Sequence, residues 1–262
     1  LIYRLRAALR EDGAFFGVTT KEIPGHKTDR VRARIVAKRG GVFFGGFLIK
    51  PLFQLLDEKF RLLSCLPDGA AIRPGQNVAR LYGSIQAILG AERVYLNLAS
   101  RLSGISTLTR RYVNAVKGTH ASVLDTRKTS PLWRDLEKWA VRCGGGQNHR
   151  FSLRDAVLIK DNHLRILRQK GLAPMDVYGV GNKKFRRDHR IKFTEIEAQN
   201  YQDVWEGIKM RADVIMLDNM PRERLKGAIS FIKSARRALG TSAPLIEVSG
   251  GVTLKNVRAI AK

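Results

Sequence analysis

A chain of 262 residues, 44% of them hydrophobic, can bury a sizeable core, and no apolar stretch approaches the roughly 20 residues of a membrane-spanning helix. Two cysteines, Cys65 and Cys143, are too few for a disulfide framework or a metal site of their own and fit a reducing, cytoplasmic setting. The net charge of +25 is compatible with anionic small-molecule substrates and with nucleic acid. It suits phosphate and carboxylate ligands, whose pocket would absorb about six to eight cations, and leaves most of the 48 Lys and Arg as surface charge.

The first residues alternate apolar and basic side chains, which predicts a helix over 1–9, and lack the long apolar segment of a secretory leader; the chain opens on Leu1 rather than Met, so residues ahead of it are expected. Period-two alternation predicts a strand over 31–37, and an apolar run predicts a helix near 51–59. Pro67-Asp68-Gly69 and Arg73-Pro74-Gly75 are turn signals. Residues 1–91 thus read as a small α+β unit with tight turns, and 92–262 as a second domain.

A helical period covers 92–116. Beyond it, apolar runs at 121–125, 156–159, 191–196, 214–217 and 245–248 each end abruptly in polar residues. They recur every 20–40 residues, roughly, with helical patterns between several of them, which implies βα units and a parallel sheet. In a barrel of such units the C-terminal strand ends share one face, where the chemistry sits.

The strand ends carry a coherent set of groups. The first run ends near Arg127 and Lys128. His149 and Arg150 follow Gly144-Gly145-Gly146, and Lys160 closes the second run. Arginine offers a planar fork to a carboxylate, lysine a point charge to a phosphate. Glu197 and Asp218 close later runs, and carboxylates among cations suit a ribose hydroxyl or a Mg²⁺ that carries pyrophosphate. Ser249-Gly250-Gly251 would let backbone N–H groups approach a phosphate, with a helix N-terminus behind them. Together these describe a ligand with carboxylates, a sugar and phosphates.

Taken in order, Glu92-Arg93, Leu96-Asn97, Arg101-Leu102-Ser103-Gly104-Ile105, Asp125-Thr126-Arg127-Lys128-Thr129, Glu137-Lys138, Gly144 to Arg150, Leu158 to His163, Met216-Leu217-Asp218-Asn219 and Glu247 to Thr253 resemble the quinolinate phosphoribosyltransferase family. The resemblance runs from about residue 9 to the end. It implies an α/β protein, with an N-terminal α/β sandwich over 1–91 and an incomplete α/β barrel over 92–262, working as a homodimer with shared sites. It implies that Arg127, His149, Arg150 and Lys160 hold the two quinolinate carboxylates, joined by Arg93 of the partner chain. Lys128 would contact phosphoribosyl pyrophosphate. Glu197 and Asp218 would hold the ribose hydroxyls and Mg²⁺, directly or through water, and Ser249, Gly250 and Gly251 would help bind the 5′-phosphate. The implied catalytic groups are Lys128, Lys160, Glu197 and Asp218. The product would be nicotinate mononucleotide, with release of pyrophosphate and CO2.

The chain departs from that family in places. Phe16-Gly17-Val18-Thr19 lacks an expected Asp, and Leu132 stands where a glycine is usual. The segment 164–190 is unlike the family, and the family continues past Lys262 with a strand and a further phosphate-binding glycine, so truncation is expected. Lys183, Lys184, Arg186, Arg187, Arg190 and Lys192 form a basic cluster, read as a solvated loop or a polyanion contact. Cys143 is expected to be inert, although its neighbouring glycines and arginine could leave its thiol accessible, and His163 is expected to be structural, orienting Lys160, rather than a metal ligand. Two alternatives follow: a nicotinate-using or molybdenum-associated transferase of the same superfamily, or a basic nucleic-acid-binding relative that has lost catalysis. A clamp of five cations favours a dicarboxylate, because a monocarboxylate would leave buried cations unpaired.

Overall fold

A computed structural model describes residues 1–179, 191–239 and 244–262. Five of the six cations of the basic cluster lie outside the described residues; Lys192 is described, and its backbone N–H donates to the Asp155 carbonyl. Two compact units emerge, Leu1–His149 and Arg150–Lys262.

In the first unit, α1 (Ile2–Glu11) turns Leu5 and Leu9, one helical turn apart, into the core, and α2 (Val18–Lys21) is a single turn. The strand β1 (Arg30–Val36) pairs antiparallel with β5 (Asn77–Ser84), which pairs on its other side with β3 (Arg61–Cys65). The short strands β2 (Gly41–Val42) and β4 (Ala71–Ile72) form a separate pair. The helix α3 (Gly46–Phe53) starts where the Asp68 carboxylate accepts the N–H groups of Gly45 and Gly46, so the turn read at residues 67–69 caps a helix distant in sequence.

The helix α4 (Ile85–Val116) has 32 residues, and its first turn is capped by Ser84, whose Oγ accepts the Ala87 N–H. It packs on β2, α3 and α5 (Arg134–Cys143). Ser103 and Thr107 bind the backbone of Phe44 and Val42, which fastens this helix to the β2 region. At Gly144 an added Cβ would stand 2.5 Å from Thr109 Cβ and 2.6 Å from the Ser106 carbonyl, so only glycine allows the end of α5 to approach α4 this closely. The core holds Leu5, Leu9, Phe44, Leu48, Leu52 and Tyr95, all at most 1% exposed.

The second unit alternates strand and helix. In order it has β6 (Val157–Ile159), α6 (Asp161–Gln169), α7 (Pro174–Tyr178), β7 (Thr194–Ala198), α8 (Tyr201–Lys209), β8 (Val214–Asp218), α9 (Arg222–Leu239), β9 (Leu245–Ser249) and α10 (Val257–Ala261). The strands form one parallel sheet in sequential order, β6-β7-β8-β9. Alternation sorts its faces. Ile159, Ile196, Ala198, Ile215 and Leu217 point one way and pack against Val204, Ile208, Leu225 and Ala228 of the helices. Residues one step off in register point the other way, and there the strands carry Glu195, Glu197, Met216, Asp218, Glu247 and Ser249.

Several expectations are corrected. The helix expected near 51–59 is α3, which starts earlier and stops at Phe53, because residues 61–65 leave as a strand. The helix expected from residue 92 starts seven residues sooner, at the Ser84 cap. The run 121–125 is not a strand but a single parallel bridge between Leu124 and Gln147. Its flanking residues are largely exposed, so it lacks the apolar burial that sustains a ladder. By compactness the chain divides after His149, since α4 and α5 pack on the first unit's core, and residues 91 and 92 both lie within α4.

Candidate active site

In the first unit, Arg127 and Lys128 lie in the loop that follows Leu124. Their carrier is held by Asp125, whose carboxylate makes an ion pair with the fully buried Lys138, accepts the His149 N–H at 2.9 Å and accepts the Asn148 amide. The Lys138 ammonium also donates to the His149 carbonyl at 3.1 Å. One buried pair thus ties the Arg127-Lys128 loop to the His149 segment. Next to it, Glu137 accepts the Arg101 guanidinium at 2.8 Å and the Ser130 N–H at 3.2 Å. Asp125, Glu137 and Lys138 therefore frame the site, a role their positions in sequence gave no means of reading. The Arg127 Nε is buried with no hydrogen-bond partner among the described residues, and Lys128 is exposed. A buried guanidinium N–H without an acceptor is a donor held ready for an anion.

Leu132 lies just beyond, with φ of 67° and 79% exposure. The left-handed conformation that glycine would adopt freely is kept here by a branched side chain. Arg93, exposed on α4, lines a groove of about 1000 Å³ together with Arg34, Arg39 and Arg111. Cys143 lies partly buried, and burial pushes its thiol above the ordinary range; Cys65 is pushed up to about 11 for the same reason. Neither is a ready thiolate at neutral pH, which agrees with an inert Cys143.

In the second unit, Arg150 is 8% exposed, and its guanidinium donates to the Ala156 carbonyl at 3.2 Å. Lys160 occupies the position ahead of α6, directly after β6, and its backbone N–H donates to His163 Nδ1 at 2.9 Å. His163 thus caps the start of α6 and fixes the backbone of Lys160, a structural role. The Lys160 ammonium lies 3.6 Å from the Glu197 carboxylate. Glu197 is the penultimate residue of β7 rather than the residue beyond it, and is 9% exposed. Burial raises its carboxyl above the ordinary range; Lys160 pulls it down, while Asp218 and Asp161 push it further up.

Asp218 ends β8 in register with Ser249 at the end of β9. The Asn219 amide donates to the Asp218 carboxylate at 2.8 Å, and the Asn219 N–H donates to the Ser249 carbonyl. Gly250 has φ of 83°, and a Cβ there would stand 2.1 Å from Asn219 Oδ1, so the two strand ends meet only because residue 250 is glycine. The helix expected directly after these glycines begins only at Val257, because Asn256 accepts the Thr253 N–H and holds a turn in between. The sheet thus brings Lys160, Glu197, Asp218 and Ser249 to the C-terminal ends of four adjacent strands, on the face opposite the aliphatic core. Glu195 and Glu247, with carboxylate oxygens within 4.8 Å of each other, lie one turn of the alternation deeper on that face. Sequence reading missed both; the signal was the Glu195-x-Glu197 alternation within one strand.

Comparison with known proteins agrees with this geometry. The family description "Quinolinate phosphoribosyl transferase, N-terminal domain" matches residues 16–103, and its C-terminal counterpart matches residues 105–262. The chain is 39% identical over 251 residues to a probable nicotinate-nucleotide pyrophosphorylase [carboxylating] of Bacillus subtilis, covering 95% of this chain and 80% of that protein. It is 34% identical to the nicotinate-nucleotide pyrophosphorylase [carboxylating] of Mycobacterium leprae, covering 98% of this chain and 87% of that one. Among solved structures, the nicotinate-nucleotide pyrophosphorylase of Ehrlichia chaffeensis superposes with a TM-score of 0.84 at 30% identity, over 99% of this chain and 88% of that one. Human nicotinic acid phosphoribosyltransferase, at 14% identity and a TM-score of 0.58 over 100% and 70% of the two chains, shares the fold alone.

Proposed function

This chain belongs to the quinolinate phosphoribosyl transferase family, and we propose that it is a nicotinate-nucleotide pyrophosphorylase of the carboxylating kind. It joins quinolinate to phosphoribosyl pyrophosphate and yields nicotinate mononucleotide, pyrophosphate and CO2 in NAD biosynthesis. The observation that carries this reading is the polar row at the strand ends of the parallel sheet, Lys160, Glu197, Asp218 and Ser249, set against a largely aliphatic opposite face.

Each group has a role that its chemistry suits. Arg127, with its unsatisfied Nε–H, and the buried Arg150 supply planar forks to the quinolinate carboxylates. His149 and Lys160 complete the clamp, and Arg93 joins it from a second copy in a homodimer. Clamped carboxylates orient the pyridine nitrogen for attack at the anomeric carbon. Lys128, exposed on its loop, meets the phosphates of the second substrate. Ser249, Gly250 and Gly251 present the backbone to the 5′-phosphate.

Glu197 and Asp218, on adjacent strands and the same face, offset the positive charge that grows on the ribose and accept hydrogen bonds from its hydroxyls. As hard oxygen donors they also fit Mg²⁺, which when bound would neutralise charge on the departing pyrophosphate. Once the pyridinium forms, its positive nitrogen stabilises the in-plane electron pair that departing CO2 leaves on the adjacent carbon, and that carbon then takes up a proton from solvent, so no protein nucleophile is needed. No described helix is long and apolar enough to cross a membrane, and both cysteines are free. A cytoplasmic setting is part of the same reading.

The alternative within the superfamily is a nicotinate-using enzyme. With both acids at equal concentration, quinolinate should be consumed at least tenfold faster, because the clamp loses a charge-assisted contact with a monocarboxylate, worth about 1.5–3 kcal/mol. Equal consumption of nicotinate would contradict the dicarboxylate clamp.

A further inference from the structure

The outer face of the N-terminal sheet carries a cluster of arginines. Alternation along β1 turns Ala33 and Ile35 towards the core and leaves Arg32 and Arg34 exposed. The ladder sets Arg34 directly opposite Arg80. It sets Arg32 opposite Tyr82 on the central strand, and Tyr82 opposite Arg61 on the far strand. Among the described residues, Arg32, Arg34, Arg61 and Arg80 make no ion pair; Arg30, at the start of β1, does, with Asp57 at 3.0 Å. The Arg30 guanidinium also lies 5.1 Å from the centre of the Tyr82 ring, which is only half-buried.

Like charges placed directly across a ladder weaken it, so a sheet that keeps them gains from a partner that supplies spaced negative charge. Along β1 the backbone positions of Arg32 and Arg34 are about 7 Å apart; across the ladder Arg34 and Arg80 are about 5 Å apart, and Arg32 and Arg61, with Tyr82 between them, about 10 Å. That array fits a chain of phosphates rather than one compact anion. Arginine forks match phosphate oxygens, and an aromatic ring at the centre of the array offers a surface on which a base can stack. Of the four arginines only Arg34 also lines the groove that holds Arg93, and the cations of the proposed reaction leave most of the +25 net charge unused. We propose that this sheet face binds single-stranded nucleic acid, with phosphates on Arg32, Arg34, Arg61 and Arg80 and a base against Tyr82.

The test is fluorescence anisotropy of a labelled 20-nucleotide oligouridylate with the full chain, between 50 and 200 mM salt. Four phosphate contacts should give a slope of log K on log salt of about −3, or roughly a 50-fold loss across that range. The variant Arg32→Gln/Arg61→Gln/Arg80→Gln should bind at least tenfold more weakly, with a flatter slope, and should retain nicotinate mononucleotide formation. Its melting temperature should not fall, since it removes repulsion. Tyr82→Leu should weaken binding and leave the salt slope in place. An equal loss in Arg222→Gln/Lys226→Gln/Lys233→Gln, three exposed cations of the second unit, would reduce the effect to net charge and overturn the proposal. So would oligonucleotide binding unchanged in the sheet-face variant. Loss in that variant of binding to phosphatidylserine vesicles alone would assign the face to a lipid surface, and a change in sedimentation alone would assign it to a second copy of the chain.

Discussion

Glu197 shows how one residue's environment sets its chemistry. Burial raises its carboxyl, two neighbouring acids raise it further, and Lys160 at 3.6 Å offsets part of this. A carboxyl whose folded value lies above its unfolded one favours the protonated folded state. Its contribution to stability is complete below the ordinary carboxylate range and is lost as pH rises through the raised value. Glu197→Gln removes that loss. The variant should therefore gain on the parent as pH rises from 4 to 7, by a few degrees in melting temperature, at about 2–4 °C per kcal/mol for a chain of this size. A parent that gains on the variant instead would mean the Lys160 ion pair dominates and the carboxyl is lowered. The proposed division of labour follows from the same balance: a carboxylate held beside a lysine and another acid offsets charge on a ribose and is poised to share a metal.

Elements explain what was legible in the sequence. The apolar runs at 156–159, 214–217 and 245–248 became β6, β8 and β9 within two residues, because a strand buried on one face by helices must be aliphatic at alternate positions. The 121–125 run has similar composition but no neighbouring strand to bury it, and composition cannot report a missing neighbour. The start of α4 was hidden for a related reason: residues 85–91 are apolar without period, and only the Ser84 cap marks the boundary. Arg127, Lys160, Glu197 and Asp218 were legible because they close apolar runs. The Asp125–Lys138 pair was not, since its partners are 13 residues apart and meet only when α5 folds back. The glycine replaced by Leu132 was legible as a departure, and its cost is now local: a left-handed backbone under a branched side chain, about 1–2 kcal/mol. Leu132→Gly should stabilise the chain by about 1 kcal/mol in urea unfolding, after the entropy glycine adds to the unfolded state. Destabilisation would mean that the exposed Leu132 side chain makes contacts worth more than the strain.

For the molecule as a whole, Arg93 is the position that bears on assembly. It is exposed on α4 in a groove lined by further arginines, and the proposal gives it to the site of a second copy. Mixing Arg93→Ala chains with Arg150→Ala chains should restore roughly a quarter of the activity, since about half of the random dimers would each hold one intact site. Mixed dimers without activity would show that each copy completes its own site. The central claim, phosphoribosyl transfer coupled to decarboxylation, has a more direct readout: release of labelled CO2 from carboxyl-labelled quinolinate by the purified chain with Mg²⁺. Release that needs phosphoribosyl pyrophosphate, and that matches the nicotinate mononucleotide formed one for one, is the predicted result. The absence of release from a folded chain that still binds quinolinate would contradict it.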